Sequence, residues 1–148
     1  MEKFLSDDLI GQIQKVFEKL NLPVQVMLFV SADRQDVCEP TQQLLEEVIP
    51  LSEKLALSIH DVEAESDLAQ LYKVVGKAPA IVIAAREGEQ ITDFGIRLLG
   101  VPSGHEFSTL IQDILLVSSR ESGLSNQMKS YIKSLQKPLY LQVFVTPT

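Results

Sequence analysis

Residues 24–47 constrain the fold more than any other stretch, because they read as a strand, a loop and a helix in direct succession. The first seven residues alternate between two sets that are both almost entirely apolar, as a strand buried on both faces requires. The chain's single cysteine, Cys38, stands where the loop becomes the helix. Glu39 and Pro40 follow it and suit a helix's first turn, since proline costs nothing there and glutamate favours the positive end. The stretch therefore predicts a central strand that delivers a cysteine to a helix N-terminus.

This is the place where thioredoxin-like folds keep a Cys-x-x-Cys pair. Here residues 35–38 hold Gln35 at the first cysteine position and Cys38 at the second. Two interpretations remain open on this stretch alone. Cys38 is either the remnant of a redox site or a small buried apolar residue that happens to be cysteine.

The overall composition excludes several classes of protein. A net charge of −7 and an isoelectric point near 4.8 argue against binding to nucleic acid or to an anionic membrane surface, which both attract clustered basic residues. One cysteine cannot form an internal disulfide, so we expect a cytoplasmic protein. The N-terminus does not resemble a signal peptide, and no apolar run approaches the roughly 20 residues of a membrane helix.

The remaining periodicities predict an ordered series of helices and strands. The first helix starts after an N-cap at Ser6, and the helix after Cys38 is expected to continue past a kink at Pro50. The further elements are a strand at 57–62, a short helix at 66–73, strands at 80–85 and 91–94, helices at 105–120 and 128–135, and a strand at 139–145. The order β-α-β-α-β-β-α with an extra N-terminal helix predicts a thioredoxin-like α/β sandwich.

The C-terminal stretch repeats the N-terminal one at a distance of 115 residues. The matching pairs are Ile13 with Met128, Phe17 with Ile132, Leu20 with Leu135, Pro23 with Pro138, Phe29 with Phe144 and Val30 with Val145. We interpret this as an incomplete tandem repeat, the alternative being two unrelated helix–strand units that look alike. The prediction is a thioredoxin-like unit at 1–122 and the first helix and strand of a second unit at 123–148.

Three motifs carry a resemblance to a known family. Phe94–Gly95 together with the LGVPSGHEF of residues 99–107 resembles a signature of tandem-thioredoxin, glutaredoxin-like protein disulfide oxidoreductases. The same motif is similar to the N-terminal domain of the flavoprotein subunit of alkyl hydroperoxide reductase. Residues 78–80 stand where these proteins carry a cis-proline, and the terminal VFVTPT resembles the stretch that precedes their second Cys-x-x-Cys.

The resemblance implies thiol–disulfide exchange for a complete protein and a degenerate first site in this chain. It implies a cis bond before Pro79, and it implies neither a cofactor nor a metal here. The partners it implies are a catalytic second thioredoxin-like unit and a flavoprotein of the thioredoxin-reductase type. The sequence does not decide whether Thr148 is a natural end.

Three functions follow as hypotheses. The leading one is a non-catalytic unit that supports a catalytic second unit. The alternatives are an independent monothiol redox enzyme that uses Cys38, and an interaction module that uses the former substrate groove beside Pro79. The apolar segment from Leu139 to Val145 is also expected to drive formation of a homodimer.

His105 and Glu106 resemble a catalytic or metal-binding pair at first sight. Their position after Gly104 favours a structural role at the start of a helix, with Glu106 near its positive end. With two histidines and one cysteine, the usual Cys/His zinc spacings are not available. A Ser-His-Asp triad is not legible from the spacing alone.

Overall fold

The structure is a computed structural model that describes residues 3–146. Its elements are α1 (Asp7–Phe17), β1 (Val24–Val30), α2 (Gln35–Val48), β2 (Leu55–Asp61), α3 (Ser66–Leu71), β3 (Ala80–Glu87), β4 (Gln90–Leu99), α4 (His105–Ser119) and α5 (Asn126–Ser134). The strands form one sheet in the order β2-β1-β3-β4, with β1 and β2 parallel and the other neighbours antiparallel. The predicted α/β architecture is confirmed.

The sheet separates two apolar cores, because successive strand residues point to opposite faces. The larger core joins one face of β1 and β3 to α1, α2 and α4. The smaller core joins Met27, Phe29 and the alternate residues of β3 to α3 and the loop that follows it. Because β1 and β3 are buried on both faces, they form the centre of the fold.

Helix α1 and the segments on either side of it are held by specific polar contacts. The Ser6 hydroxyl caps the helix by accepting the N–H of Leu9 at 3.3 Å. The carboxylate of Glu47 on α2 accepts the N–H groups of Phe4 and Leu5, both at 3.0 Å. Beyond α1, the buried Ser118 of α4 binds the chain that leads into β1.

The prediction for α2 is wrong at both ends. A 3-10 turn over Ala32–Arg34 precedes the helix, which starts at Gln35, so Cys38 and Pro40 lie inside it. The helix ends at Val48 instead of continuing past Pro50, because Ile49–Leu51 form a 3-10 turn. Proline cannot donate the hydrogen bond that an uninterrupted helix requires, so it favours an end at this place.

Strand β4 is longer than predicted because it contains a β-bulge. Its register on β3 jumps between Ile83, which pairs with Ile96, and Ala84, which pairs with Asp93. The two residues between them, Phe94 and Gly95, are extra on the β4 side. Gly95 has a φ of 85°, which favours glycine, and this bend separates the predicted strand from the rest of β4.

The predicted strand from Leu139 to Val145 does not form in the described part of the chain. Helix α5 is present before it, with an N-cap at Ser125 and no buried residue among Asn126–Ser134. Residues 139–146 lie outside every helix and strand and are exposed. A strand is defined by its hydrogen bonds to a neighbouring strand, and no described strand lies beside this segment.

Candidate functional site

Cys38 is buried in the smaller core. It lies in the first turns of α2 with 4% of its surface exposed, and it shares the core with Phe29, Ala78 and Ala80. One turn further, the hydroxyl of the fully buried Thr41 donates to the carbonyl of Val37 at 2.7 Å. The thiol therefore has the surroundings of a small apolar core residue.

Gln35, the residue at the first cysteine position, is in contrast exposed. It is the first residue of α2, and its amide donates to the carboxylate of Glu39 one turn along the same helix face. Gln35 and Cys38 are three residues apart on this helix, a spacing that brings side chains to neighbouring positions on its surface. The loop geometry of a Cys-x-x-Cys site is present with an amide in place of the outer thiol.

The Ala78–Pro79 peptide bond is cis and leads directly into β3. Both residues are buried, and the Pro79 carbonyl accepts the N–H of Gly100 at 2.9 Å. Ala80 pairs with Phe29 of β1 on one side. Because β1 continues into the loop before α2, Pro79 and Cys38 lie at the same end of the sheet.

A partly apolar groove lies beside this end, with a volume of about 350 Å³. Pro40 and Leu44 of α2 form one wall, and residues 101–104 with Phe107 of α4 form another. The N-terminal segment that Glu47 holds in place contributes Phe4 and Leu5. The groove could accommodate an extended apolar chain.

The structure places His105 and Glu106 at the exposed start of α4, away from any metal-binding cluster. Among residues 3–146 there is no group of three or more His, Cys, Asp or Glu side chains arranged to hold a metal ion. In the same part of the chain, no helix is long and apolar enough to cross a membrane.

Two polar networks near this end were missed from the sequence. The buried Ser31 donates to the carboxylate of Glu63 at 2.9 Å, which connects the loop after β1 to the loop after β2. On β2, Ser58 Oγ lies 2.9 Å from His60 Nε2, and His60 Nδ1 lies 2.8 Å from the carboxylate of Glu65. Serine, histidine and glutamate at 58, 60 and 65 would have been found by listing the side chains on one face of β2 together with the start of α3.

This Ser58–His60–Glu65 chain has the order of a nucleophile, a base and an orienting acid, but its surroundings are those of a surface network. Ser58 Oγ also lies 3.1 Å from the amide nitrogen of Gln25, which donates to it. The ring of Phe29 lies 5.3 Å from that of His60. The network therefore connects β1, β2 and the start of α3 on the polar edge of the sheet.

A second charged pair flanks the smaller core. The Arg97 guanidinium forms two hydrogen bonds with the carboxylate of Asp93, at 2.9 and 2.7 Å, and these hold the pKa of that carboxyl below its ordinary value. Arg97 also donates to the carbonyl of Tyr72 at 2.9 Å. Burial, with the nearby Asp93 charge, raises the pKa of the Tyr72 hydroxyl.

The chemistry that this site can perform is limited by its single thiol. Exchange through a Cys-x-x-Cys pair needs an exposed thiolate to attack and a second thiol to resolve the mixed disulfide. Here the exposed position holds an amide and the remaining thiol is buried. The fold and the site together define a thioredoxin-like unit with a degenerate redox position.

The comparisons with known proteins agree with this class. The chain is 27% identical over 144 residues to the alkyl hydroperoxide reductase AhpF of Staphylococcus epidermidis, a match that covers 97% of this chain and 25% of that protein. No protein-family model matches the chain.

Two solved structures share both fold and sequence with it. A protein disulfide oxidoreductase from Aeropyrum pernix superimposes with a TM-score of 0.73 at 29% identity, over 88% of this chain and 55% of that one. The NTD_N/C domain of alkylhydroperoxide reductase AhpF from Enterococcus faecalis superimposes with a TM-score of 0.77 at 26% identity, over 90% and 62%. The expected resemblance is confirmed, and the chain spans about a quarter of the length of the curated relatives it matches.

Proposed function

We propose that this chain is the non-catalytic thioredoxin-like unit of a protein disulfide oxidoreductase, in which a second thioredoxin-like unit performs thiol–disulfide exchange. The observation that carries the proposal is the pairing of an exposed Gln35 with a buried Cys38 at the two cysteine positions. The similarity to a protein disulfide oxidoreductase and to the alkyl hydroperoxide reductase AhpF supports redox work by the larger protein.

The proposed organisation assigns 1–122 to this unit and 123–148 to the start of the second. The exposed apolar stripe of α5 supports this division, because the matching stripe of α1 is buried in the first unit. The proposed partners are the catalytic second unit and a flavoprotein of the thioredoxin-reductase type. A cytoplasmic location and self-association through residues 139–145 belong to the same proposal.

A second candidate function is supported by the groove beside the degenerate site. Its apolar walls, built from α2, α4 and the N-terminal segment, favour a module that binds an extended segment without chemistry. An independent monothiol enzyme has weaker support, because a thiol must reach its substrate and Cys38 is only 4% exposed to solvent.

The first test is the reduction of insulin by dithiothreitol in the presence of the 148-residue chain. We expect the background rate, since no internal thiol can resolve a mixed disulfide. A rate above background that disappears in Cys38→Ser, with the far-ultraviolet circular dichroism unchanged, would establish the monothiol enzyme instead.

The second test restores the missing thiol with Gln35→Cys. If the helix start keeps its family geometry, the new pair lies within the roughly 4.4–6.8 Å Cα separation of a disulfide. We expect the reversible loss of two thiols per chain in a glutathione redox buffer, with no change in the number of chains per particle. The neighbouring Asp36 carboxylate opposes ionisation of the new thiol, so the variant should be a weak nucleophile.

The matched control is Asp36→Cys, which also places an exposed cysteine on the first turn of α2. Residues two apart on a helix face different directions, so this variant should keep both thiols free. Two free thiols in Gln35→Cys as well would show that the helix start does not retain the geometry of a redox site.

A further inference from the structure

The C-terminal arm, defined as residues 139–145, presents an unusual amount of apolar surface to solvent. Six of its seven residues are apolar or aromatic, and their exposed fractions lie between 63 and 85%. A contiguous exposed patch of this kind marks an interaction surface in a protein that is stable in water. The arm also alternates, with Leu139, Leu141, Val143 and Val145 on one face when it is extended.

The charge of the chain is divided unequally between the C-terminal stretch and the rest. Residues 123–148 carry three lysines and no acidic residue, so the net charge of −7 consists of +3 there and −10 in residues 1–122. Lys129, Lys133 and Lys137 all precede the arm. The C-terminal stretch is therefore electrostatically complementary to the body of a second copy.

The sheet offers two edges, and β4 is the protected one. The bulge at Phe94 and Gly95 interrupts its regular hydrogen-bonding pattern. The Asp93 carboxylate spans the bulge by accepting from the Gly95 N–H at 2.8 Å and from Arg97. Bulges and charged side chains on an edge prevent the addition of another strand.

The β2 edge, by contrast, is regular. Its seven residues pair with β1 one for one, without a bulge, and it is the terminal strand of the described sheet. Leu57 is half-buried against the larger core and Ile59 is 39% exposed, so an added strand would cover both. Asp61, Glu63 and Glu65 form an acidic border where β2 ends.

We propose that the C-terminal arm of one copy adds as an antiparallel strand to the β2 edge of a second copy. The occupant is a second copy of this chain because it supplies an unpaired seven-residue arm and an opposite charge. Antiparallel addition places Lys137, just before the arm, beside the acidic border at the carboxyl end of β2. When each copy donates its arm to the other, the exchange closes into a symmetric dimer.

A single register satisfies both faces of the new strand pair. With Gln142 opposite Ser58, Leu141 lies opposite Ile59 and Val143 opposite Leu57. On the other face, Tyr140 lies opposite His60, on the side where the Phe29 ring already contacts it. Apolar and aromatic cross-strand pairs of this kind stabilise antiparallel sheets.

The inference concerns the 148-residue chain and does not depend on the redox proposal, because it involves no cysteine chemistry. In a longer polypeptide, a second unit would take the same arm into its own sheet. The two proposals fail separately, since thiol titration tests the first and the state of association tests the second.

The experiment is disulfide trapping in the full chain with Ile59→Cys and Leu141→Cys combined. Directly opposite residues of an antiparallel pair have Cα separations that allow a disulfide, so mild oxidation should give a covalent dimer. The matched control combines Thr92→Cys, an exposed residue of β4, with the same Leu141→Cys. We expect the β2 variant to cross-link about tenfold faster than the control, because pairing raises the effective concentration of the two thiols.

Sedimentation velocity of the unmodified chain completes the test. We expect a dimer that weakens with added salt, as screened charge pairs do, and that becomes a monomer when residues 136–148 are removed. Four results would each overturn the proposal: equal cross-linking rates, a cross-linked monomer with the arm folded onto its own β2, a monomer at every concentration, or a dimer that survives the deletion.

Discussion

Two helix–strand stretches of this chain carry the same apolar pattern 115 residues apart, and they have opposite surroundings. In the first, Ile13, Phe17 and Leu20 are at most 4% exposed, and the strand that follows is the centre of the sheet. In the second, the matching side chains of α5 and the residue after it are 38 to 47% exposed. They are Met128, Ile132 and Leu135.

The difference shows that an amphipathic pattern specifies which face of an element will be buried, but its neighbours decide whether burial occurs. Helix α1 lies against α2 and α4, and β1 has a paired strand on each side. Helix α5 has a proper N-cap and an apolar stripe, yet none of its residues is buried. Most helical stability in proteins comes from packing of the apolar face, which α5 lacks in the described structure.

The largest expected effect comes from truncating matched residues in the two copies. Phe17→Ala removes a buried aromatic ring from the larger core and should lower the free energy of unfolding by about 3–5 kcal/mol. Ile132→Ala changes the matching residue on α5, which is half exposed, and should cost less than about 0.5 kcal/mol. Urea denaturation at a concentration below that of dimer formation measures both.

Similar losses in the two variants would mean that α5 is packed in the folded chain as α1 is. The comparison between the two copies would then be wrong, and so would the exposed position of the arm.

A smaller effect is expected from Ser118, which attaches the link between α1 and β1 to α4. Its hydroxyl accepts the N–H of Asn21 at 2.9 Å and donates to the carbonyl of Leu22 at 2.7 Å. Ser118→Ala leaves these backbone groups without a partner and should cost about 1–3 kcal/mol. The neighbouring Ser119, whose hydroxyl donates to Leu116 of its own helix, is the control and should change stability by no more than about 0.5 kcal/mol.

Equal costs for the two serines would show that the link is held by packing alone. The second copy has no described equivalent of this attachment, because residues 135–139 lie exposed.

The smallest effect is a pH dependence at the N-terminal attachment of the first copy. Burial is the largest single influence on Glu47 and raises its pKa, but the N–H groups of Phe4 and Leu5, with the Gln43 side chain, lower the pKa by more. A carboxyl with a lowered folded-state pKa contributes stability above its ordinary pKa of about 4.3 and loses it as the pH falls through the folded value.

Glu47→Gln should therefore be less stable than the unmodified chain at pH 6, and the two should converge between about pH 5 and pH 3. Urea midpoints across this range measure the difference. A difference that stays constant with pH would show that the Glu47 charge does not hold the N-terminal segment.

Much of the fold follows from local signals in the sequence. The Ser6 cap with its apolar stripe predicts α1, and the alternation of residues 24–30 predicts β1 to the residue. The start of α2 was placed too late because Pro40 suits a first turn, whereas the 3-10 turn over Ala32–Arg34 lets the helix begin earlier. Proline chemistry constrains a helix without fixing which of its early positions the proline takes.

The site was less accessible to sequence reasoning, because its contacts join residues that are distant along the chain or belong to different elements. The burial of Cys38 depends on Ala78 and Ala80, which arrive from β3 and the loop before it. The Ser118 attachment spans 97 residues to Asn21, and no local pattern announces it. The arm was predicted as a strand from its alternation, but pairing needs a partner that the described chain does not provide.

Hydrogen exchange in dilute solution, where the chain is monomeric, tests the contrast between the two copies most directly. The amides of β1 should exchange only through global unfolding, since β1 lies between two strands and is buried on both faces. The amides of residues 139–145 should exchange at nearly the rate of an unstructured peptide. Comparable protection of the two segments would contradict the account, because it would place the C-terminal copy in the folded core of its own chain.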